Sequence, residues 1–299
     1  MHGAFPLATK PLASASAWAG ATALAWERII LLSPTDSDEA TLAAGSPLAA
    51  LPVTNLQAQD PKKVYRSTST TDYITAAFAE PLAINMVAMN AHQFSSMAVW
   101  RVRLANSLAA TTSAPAIDSG WQSVWPTTGK PVLRNWRHLI SAMRWTNNSQ
   151  YGYARVDFID PDTTRTYNQI GRLALGRYWQ PSADVDFGGL PLGWAPRDVQ
   201  TETDYAELFT DRRNLSAPRR FQFMISAGDR DEIVNGLDEI QRLRGLWGDV
   251  FVFQNINAGV DFQKLSMQGV FTAPGEHQIV PQFNDNGALW TAPLAFREV

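Results

Sequence analysis

The stretch Gln169 to Gly188, QIGRLALGRYWQPSADVDFG, divides the chain into two parts that no single pattern covers. Its first half places Ile170, Leu173 and Leu175 among Gly171, Arg172, Ala174 and Gly176, a mostly apolar strand whose glycines allow close backbone approach. Its second half, from Trp179, is proline, acid and glycine, which can tether but cannot build a core. The stretch therefore reads as the last strand of one domain running into the connector to the next. A length of 299 residues suits two cores better than one. The expected division is an N-terminal arm over 1–27, a jelly-roll domain over 28–178, a linker over 179–205 and a smaller oligomerisation module over 206–299.

Upstream of the divide, short apolar runs alternate with turn residues. Arg28 to Leu32 is a strand closed by Ser33-Pro34, and the polar Thr35 to Glu39 follows as a loop. Tyr73 to Phe78, Ile84 to Ala91, Ala98 to Ala105, Trp136 to Trp145 and Tyr153 to Ile159 are further strands. In Ala98 to Ala105, Val99, Arg101 and Arg103 share one face and Trp100, Val102 and Leu104 the other, so one face is wet and the other buried. Asn106 to Pro131 is a long loop of Ala, Ser, Thr and Pro, placed at one end of a sandwich, where binding residues usually sit. Strands of this length and spacing predict a β-sandwich or jelly roll.

Downstream the pattern changes. Ala206 to Thr210 and Arg219 to Ile225 are strands, the second with Phe221 and Phe223 on one face. Ser226 is placed as an N-cap for a helix whose apolar stripe is Ile233, Leu237, Ile240, Leu243 and Trp247, with acids early and arginines late. Asp249 to Gln254 is a buried strand, and Lys264 to Phe271 and Trp290 to Val299 complete a small sheet crossed by one helix. The predicted fold class is mainly β: a jelly-roll sandwich followed by a smaller β module with one packed α-helix.

Charged residues are only 18% of the chain against 45% hydrophobic, a thin charge cover that points to surface buried on other chains. A homo-oligomer is therefore expected, with Phe221, Phe223, Trp290 and Phe296 as interface candidates, although aromatics also fill sandwich interiors. With a net charge of −3 and no basic run beyond Arg212-Arg213 and Arg219-Arg220, nucleic acid is excluded as a partner. The absence of cysteine removes disulfides, thiolate metal sites and cysteine nucleophiles together. Pro11 to Trp26 is rich in alanine and serine and short of the ~20 apolar residues of a spanning helix, so no membrane insertion is expected. It reads as an arm or short helix that docks on a neighbour.

No motif carries catalysis. The four histidines, His2, His92, His138 and His277, have no paired spacing for a metal. Pro126 to Pro131, PTTGKP, matches a phosphate loop only in its GK and is a turn. Asp160-Pro161-Asp162 with two threonines offers oxygen ligands for calcium but more commonly forms a plain turn. No cofactor, metal or enzyme activity is expected, and a glycan hydrolase would need a carboxylate pair that no sequence pattern marks. Trp121, Trp125 and Trp136 could form an aromatic platform for a sugar ring. The more usual role for such residues is to plug the sandwich end or meet a neighbouring subunit.

Leu51 to Gln57 with Tyr65 to Thr68, then Ile84 to Ala105, Ile170 to Gly188 and the segment from SAGDRDEIVNGLDEIQRL to DVFVFQ together resemble tail proteins of long-tailed bacteriophages. The resemblance implies a galactose-binding-like jelly roll joined to a ring-forming module, as in distal tail and baseplate subunits. It implies a structural virion protein made in the host bacterial cytoplasm, a symmetric ring around the tail axis (trimer or hexamer), and partners among other tail and baseplate proteins. It carries over no catalytic residue, and residues 1–27 have no counterpart in it. The alternative is a carbohydrate-binding adhesin that recognises a cell-surface glycan of the host through Trp121 to Trp136.

Overall fold

The computed structural model describes residues 28–125, 139–182, 192–194, 199–202, 208–211, 218–228, 232–258, 261–272, 278–280 and 289–299. The fold is mainly β, with strands stacked as successive sheets and the helical segment Ile233–Arg244 packed outside them. The outer sheet runs Thr41–Ala44, Thr71–Ala83, Gln150–Ile159, Val99–Ala105, with the short strands Ile117–Asp118 and Gln122–Ser123 both pairing to Val99–Ala105. The middle sheet is Arg172–Gly176, Met86–Asn90, Ile140–Arg144. Every pairing in the two sheets is antiparallel, as a jelly-roll sandwich requires.

The core between them follows from period-two alternation. Ile74, Trp100, Val102, Leu104, Val156 and Phe158 of the outer sheet meet Val87, Met89, Leu173 and Leu175 of the middle sheet. Each such side chain, once fully buried, stabilises the fold by about 1.5–3 kcal/mol. The opposite faces differ. In the outer sheet the alternate residues are polar and partly wet, whereas every residue of Met86–Asn90 and Arg172–Gly176 is buried.

The reason is a third layer. The large sheet runs Tyr178–Trp179, Ile30–Leu32, Asp249–Phe253, Ser266–Phe271, Leu289–Glu298, Arg219–Gly228, Leu192–Trp194, with Gln278–Val280 also on Leu289–Glu298. Ile30, Leu32, Phe251 and Phe253 on one face pack on Met86, Ala88 and Ala174 of the middle sheet. Val250, Val252, Phe221, Phe223, Ile225 and Phe296 on the other pack under Ile233, Leu237 and Ile240 of the helix. The middle sheet is thus the shared wall of two cores. Ile30–Leu32, expected inside the jelly roll, lies instead in the large sheet, with Leu31 opposite Val252. The chain changes sheets at Arg177: Arg172–Gly176 pairs with Met86–Asn90 and Tyr178–Trp179 with Ile30–Leu32. Gly171, just before Arg172–Gly176, allows a close approach of another segment, since a Cβ there would sit 2.5 Å from the Pro61 carbonyl oxygen.

A buried ionic cluster joins the layers. Arg172, fully buried, donates from Nε and Nη2 to the Asp249 carboxylate at 2.9 Å each, and from Nη1 and Nη2 to Asp38 at 2.5 and 2.9 Å. Arg244 donates to the same Asp38 at 2.9 Å, and the Gln268 amide donates to Asp249 at 2.7 Å. Burial works to lower the Arg172 pKa, but the hydrogen bonds and charges of Asp38 and Asp249 hold it above the ordinary guanidinium value. Thr35–Glu39, expected as a loop, forms one helical turn after Pro34, and that turn delivers Asp38 to the cluster.

Several expectations for the C-terminal part change. Arg219–Gly228 runs through Ser226 as a strand, so Ser226 caps no helix. Glu232 is helical and is followed by a π turn over Ile233–Leu237 and an α segment over Asp238–Arg244 that ends at Gly245 (φ 53°). Ile233, Leu237 and Ile240 are buried, but the next position on the stripe goes to Arg244, drawn inward by Asp38, which leaves Leu243 and Trp247 exposed. Phe221, Phe223 and Phe296 are core residues beneath the helix, packed on one another and on Phe271, so they present nothing to a neighbour. Trp290 lies in Leu289–Glu298, a strand hydrogen-bonded on both edges and therefore closed to pairing across subunits. Leu208–Asp211 pairs with Val199–Glu202 inside the span expected as linker. The N-terminal arm and PTTGKP lie outside the described residues.

Candidate functional site

The outward face of the outer sheet carries the most chemistry. Strand register sets two rows across it: Tyr73, Asp157 and Arg101 stand directly opposite one another, and Thr75, Arg155 and Arg103 form the next row. Alternation sends all six away from the core, and antiparallel pairing brings the side chains of each row within reach. Asp157 is the hub. It accepts from Arg103 Nε and Nη2 at 3.0 Å each and from Arg155 Nε at 2.8 Å, while Arg101 Nε is 3.6 Å away. The short helix Ala110–Ser113 closes one side, with Arg103 donating to the Thr112 carbonyl at 3.3 Å and Arg155 to its hydroxyl at 3.2 Å.

Trp121 enters this face from the long loop. Gly120 adopts φ 64° and donates its N–H to Asp118 at 2.9 Å, a turn that swings Trp121 beneath the Arg101 guanidinium, 4.7 Å from the ring centroid. Arg155 stacks likewise over Tyr73 at 3.6 Å. Between the two aromatics lies a trough of about 460 Å³ lined by Tyr73, Trp121, Arg155, Asp157, Asp72 and Ser46, among others. Trp121 is 36% exposed. Asp72 closes the far wall, where its carboxylate accepts from the Tyr65 hydroxyl and from Ser46 N–H. Burial and the neighbouring Asp72 push the Tyr65 pKa well above the ordinary tyrosine value, so that phenol stays protonated as the donor.

Of the three tryptophans expected to form a platform, only Trp121 reaches this trough. Trp125 is fully buried, its ring against His92 at 4.8 Å and its Nε1 donating to the Ser95 carbonyl at 2.5 Å, so it offers no face to a ligand. Trp136 lies outside the described residues. Tyr73, Arg155 and Asp157 were not singled out from the sequence. Alternation already put Arg155 and Asp157 on one face, but only register shows that this face adjoins Arg101 and Trp121.

Other polar groups close on themselves. Ser141 donates to the Val124 carbonyl at 2.5 Å and lies 2.9 Å from His92 Nε2, both side chains buried. Its proton is spent on backbone, so the pair is a core hydrogen bond and no nucleophile. Asp160 accepts from the Ser95 N–H and hydroxyl at 2.7 and 2.5 Å, and Asp162 accepts from Thr164, which lowers its pKa. That segment is a hydrogen-bonded turn. Among the described residues no group of three or more His, Asp or Glu is placed to hold a metal, and no helix is long and apolar enough to cross a membrane.

No protein-family model matches the chain, and no curated protein matches it. Among solved structures, the family 32 carbohydrate-binding module of C. perfringens NanJ in complex with galactose is similar over 50% of this chain and 98% of its own, at 9% identity and a TM-score of 0.35. Chitosan-binding module 1 from a chitosanase/glucanase of Paenibacillus sp. IK-5 covers 46% of this chain and 96% of its own, at 15% identity and 0.33. The lectin domain of lectinolysin complexed with Lewis B antigen covers 49% and 99%, at 10% and 0.33. None of the three is described as a tail or baseplate protein. The fold class stands on the strand pairing above, and no family follows from likenesses of this size.

Proposed function

We propose that this chain is a non-catalytic carbohydrate-binding protein whose jelly roll holds a saccharide in the trough between Trp121 and Tyr73. The observation that carries the reading is the trough itself. A half-open indole forms one wall, and planar guanidinium and carboxylate groups are fixed by register along the floor. Sugar rings stack their apolar faces on aromatics while their hydroxyls exchange hydrogen bonds with such groups. Binding to a glycan array, followed by titration of the best ligand, tests it. Trp121→Ala is expected to weaken that ligand about tenfold, the order of one lost stacking contact. Trp125→Ala is no such probe, because that ring is core. Undiminished affinity in Trp121→Ala, or no glycan bound at all, overturns the reading.

A second reading is favoured by a different observation. Leu246 and Trp247, at the far end of the helix, are 55% and 69% exposed. Such residues suit burial on another chain. On this reading the protein is a structural subunit of a phage tail tip, located in the virion, with the helix layer meeting sister copies or other tail proteins and the trough turned toward the host. Sedimentation at micromolar concentration separates the two. A monomer supports the free adhesin, and a closed oligomer lost in Trp247→Ser supports the tail subunit.

A further inference from the structure

We infer that Arg144 holds a small oxyanion at the junction of the middle and large sheets, through a guanidinium that no carboxylate of the described residues answers. The inference stands apart from the trough and from the carbohydrate reading. Arg144 ends the strand Ile140–Arg144, opposite Met86. Alternation puts it on the same face as Ile140 and Ala142, both of which pack in the core against the large sheet. The side chain is carried toward that layer, where Tyr178 packs against the same core. Asn85 fixes this corner. Its side-chain oxygen accepts from the Tyr178 N–H at 3.0 Å, its carbonyl accepts from the Trp145 N–H at 2.9 Å, and its own N–H donates to the Gly176 carbonyl at 3.1 Å.

What sets Arg144 apart is the missing counter-charge. Arg103, Arg172, Arg219 and Arg244 are buried, and each meets a carboxylate at 2.7–2.9 Å. The half-buried Arg144 guanidinium has no ion pair among the described residues, and its Nη1 is buried with no acceptor. An N–H of a charged group left unpaired away from water costs more than a neutral one. Burial holds the Arg144 pKa below the ordinary guanidinium value, with Tyr178 acting the other way. A phenol is neutral at pH 7 and supplies no compensating charge. Shedding the proton is no outlet either, because a guanidinium stays charged in proteins. The acceptor must then come from outside, as a carboxylate, sulfate or phosphate group whose oxygens match the planar fork. The Tyr178 hydroxyl, likewise without a hydrogen bond among the described residues, is the second donor.

Thermal unfolding of the full chain in sodium sulfate, phosphate and acetate, against sodium chloride at equal ionic strength, tests the site. Sulfate and phosphate also stabilise proteins generally, by exclusion from the surface, so the readout is the difference between wild type and Arg144→Met. Wild type is expected to gain about 3 °C more than the variant at an anion concentration about ten times its Kd, and the gain should saturate. Tyr178→Phe keeps the ring and should weaken the anion about fivefold, the scale of one hydrogen bond. A response to all three anions supports the site with carboxylate among its sources, and a response to sulfate and phosphate alone supports it for tetrahedral oxyanions. Identical anion dependence in wild type and Arg144→Met overturns the inference. Should Arg144→Met fail to fold, calorimetric titration of sulfate into wild type and Arg144→Lys decides the matter. Binding about tenfold weaker in the Lys variant, which keeps the charge but loses the fork, supports the site. Equal binding in the two proteins, or none in wild type, overturns it.

Discussion

Replacing Arg172 by Met is expected to lower the free energy of unfolding by about 3–5 kcal/mol, the cost of stranding a buried charge. Arg172 is fully buried and answers two carboxylates at once, one from the turn that follows the first strand and one from the start of Asp249–Phe253. Met fills most of the volume but leaves Asp249, among the described side chains, with the Gln268 amide alone, while Asp38 keeps Arg244. The loss should therefore fall chiefly on the junction between middle and large sheets. Pairing Arg172→Met with Asp249→Leu should recover part of the stability, because an apolar pair no longer strands a charge. Urea denaturation of the single and double variants measures both. A single variant within about 1 kcal/mol of wild type, the usual scale of a surface change, would show that the cluster contributes little.

Phe251→Ala is expected to cost about 3–5 kcal/mol, the range for truncating a buried aromatic in a packed core. Phe251 and Phe253 stack at 6.3 Å on the face of the large sheet that covers Met86, Ala88 and Ala174. The cavity would open in the core between the middle and large sheets. Because the middle sheet belongs to both cores, calorimetry should show one transition moved to lower temperature, with no split into two. Two separate transitions in this variant would mean that jelly roll and C-terminal module fold independently.

The legibility of the site in the sequence stopped at the single strand. Val99, Arg101 and Arg103 on one face of Val99–Ala105 follow from alternation alone, and so do Arg155 and Asp157 on Gln150–Ile159. That Asp157 stands opposite both Arg101 and Tyr73 depends on register, which one residue of slip would reverse, and no local signal sets it. The same limit explains the misplaced aromatics. Phe221, Phe223 and Phe296 have the composition of an interface and of a core alike, and only the position of the helix decides between them. Ser226 has the chemistry of a cap, but the strand Arg219–Gly228 runs on through it.

The amino-acid sequence on its own determined local facts: most of the segments that extend, and which of their faces are apolar. These depend on neighbours a few residues apart. The tertiary structure decided what distant segments share: that Ile30–Leu32 joins the strand at Asp249, that the middle sheet serves two cores, and that Trp121 meets Arg101 above a trough while Trp125 does not. Contacts between residues dozens to hundreds of positions apart are selected by the packing of whole faces against one another, and that selection exists only once the layers have assembled.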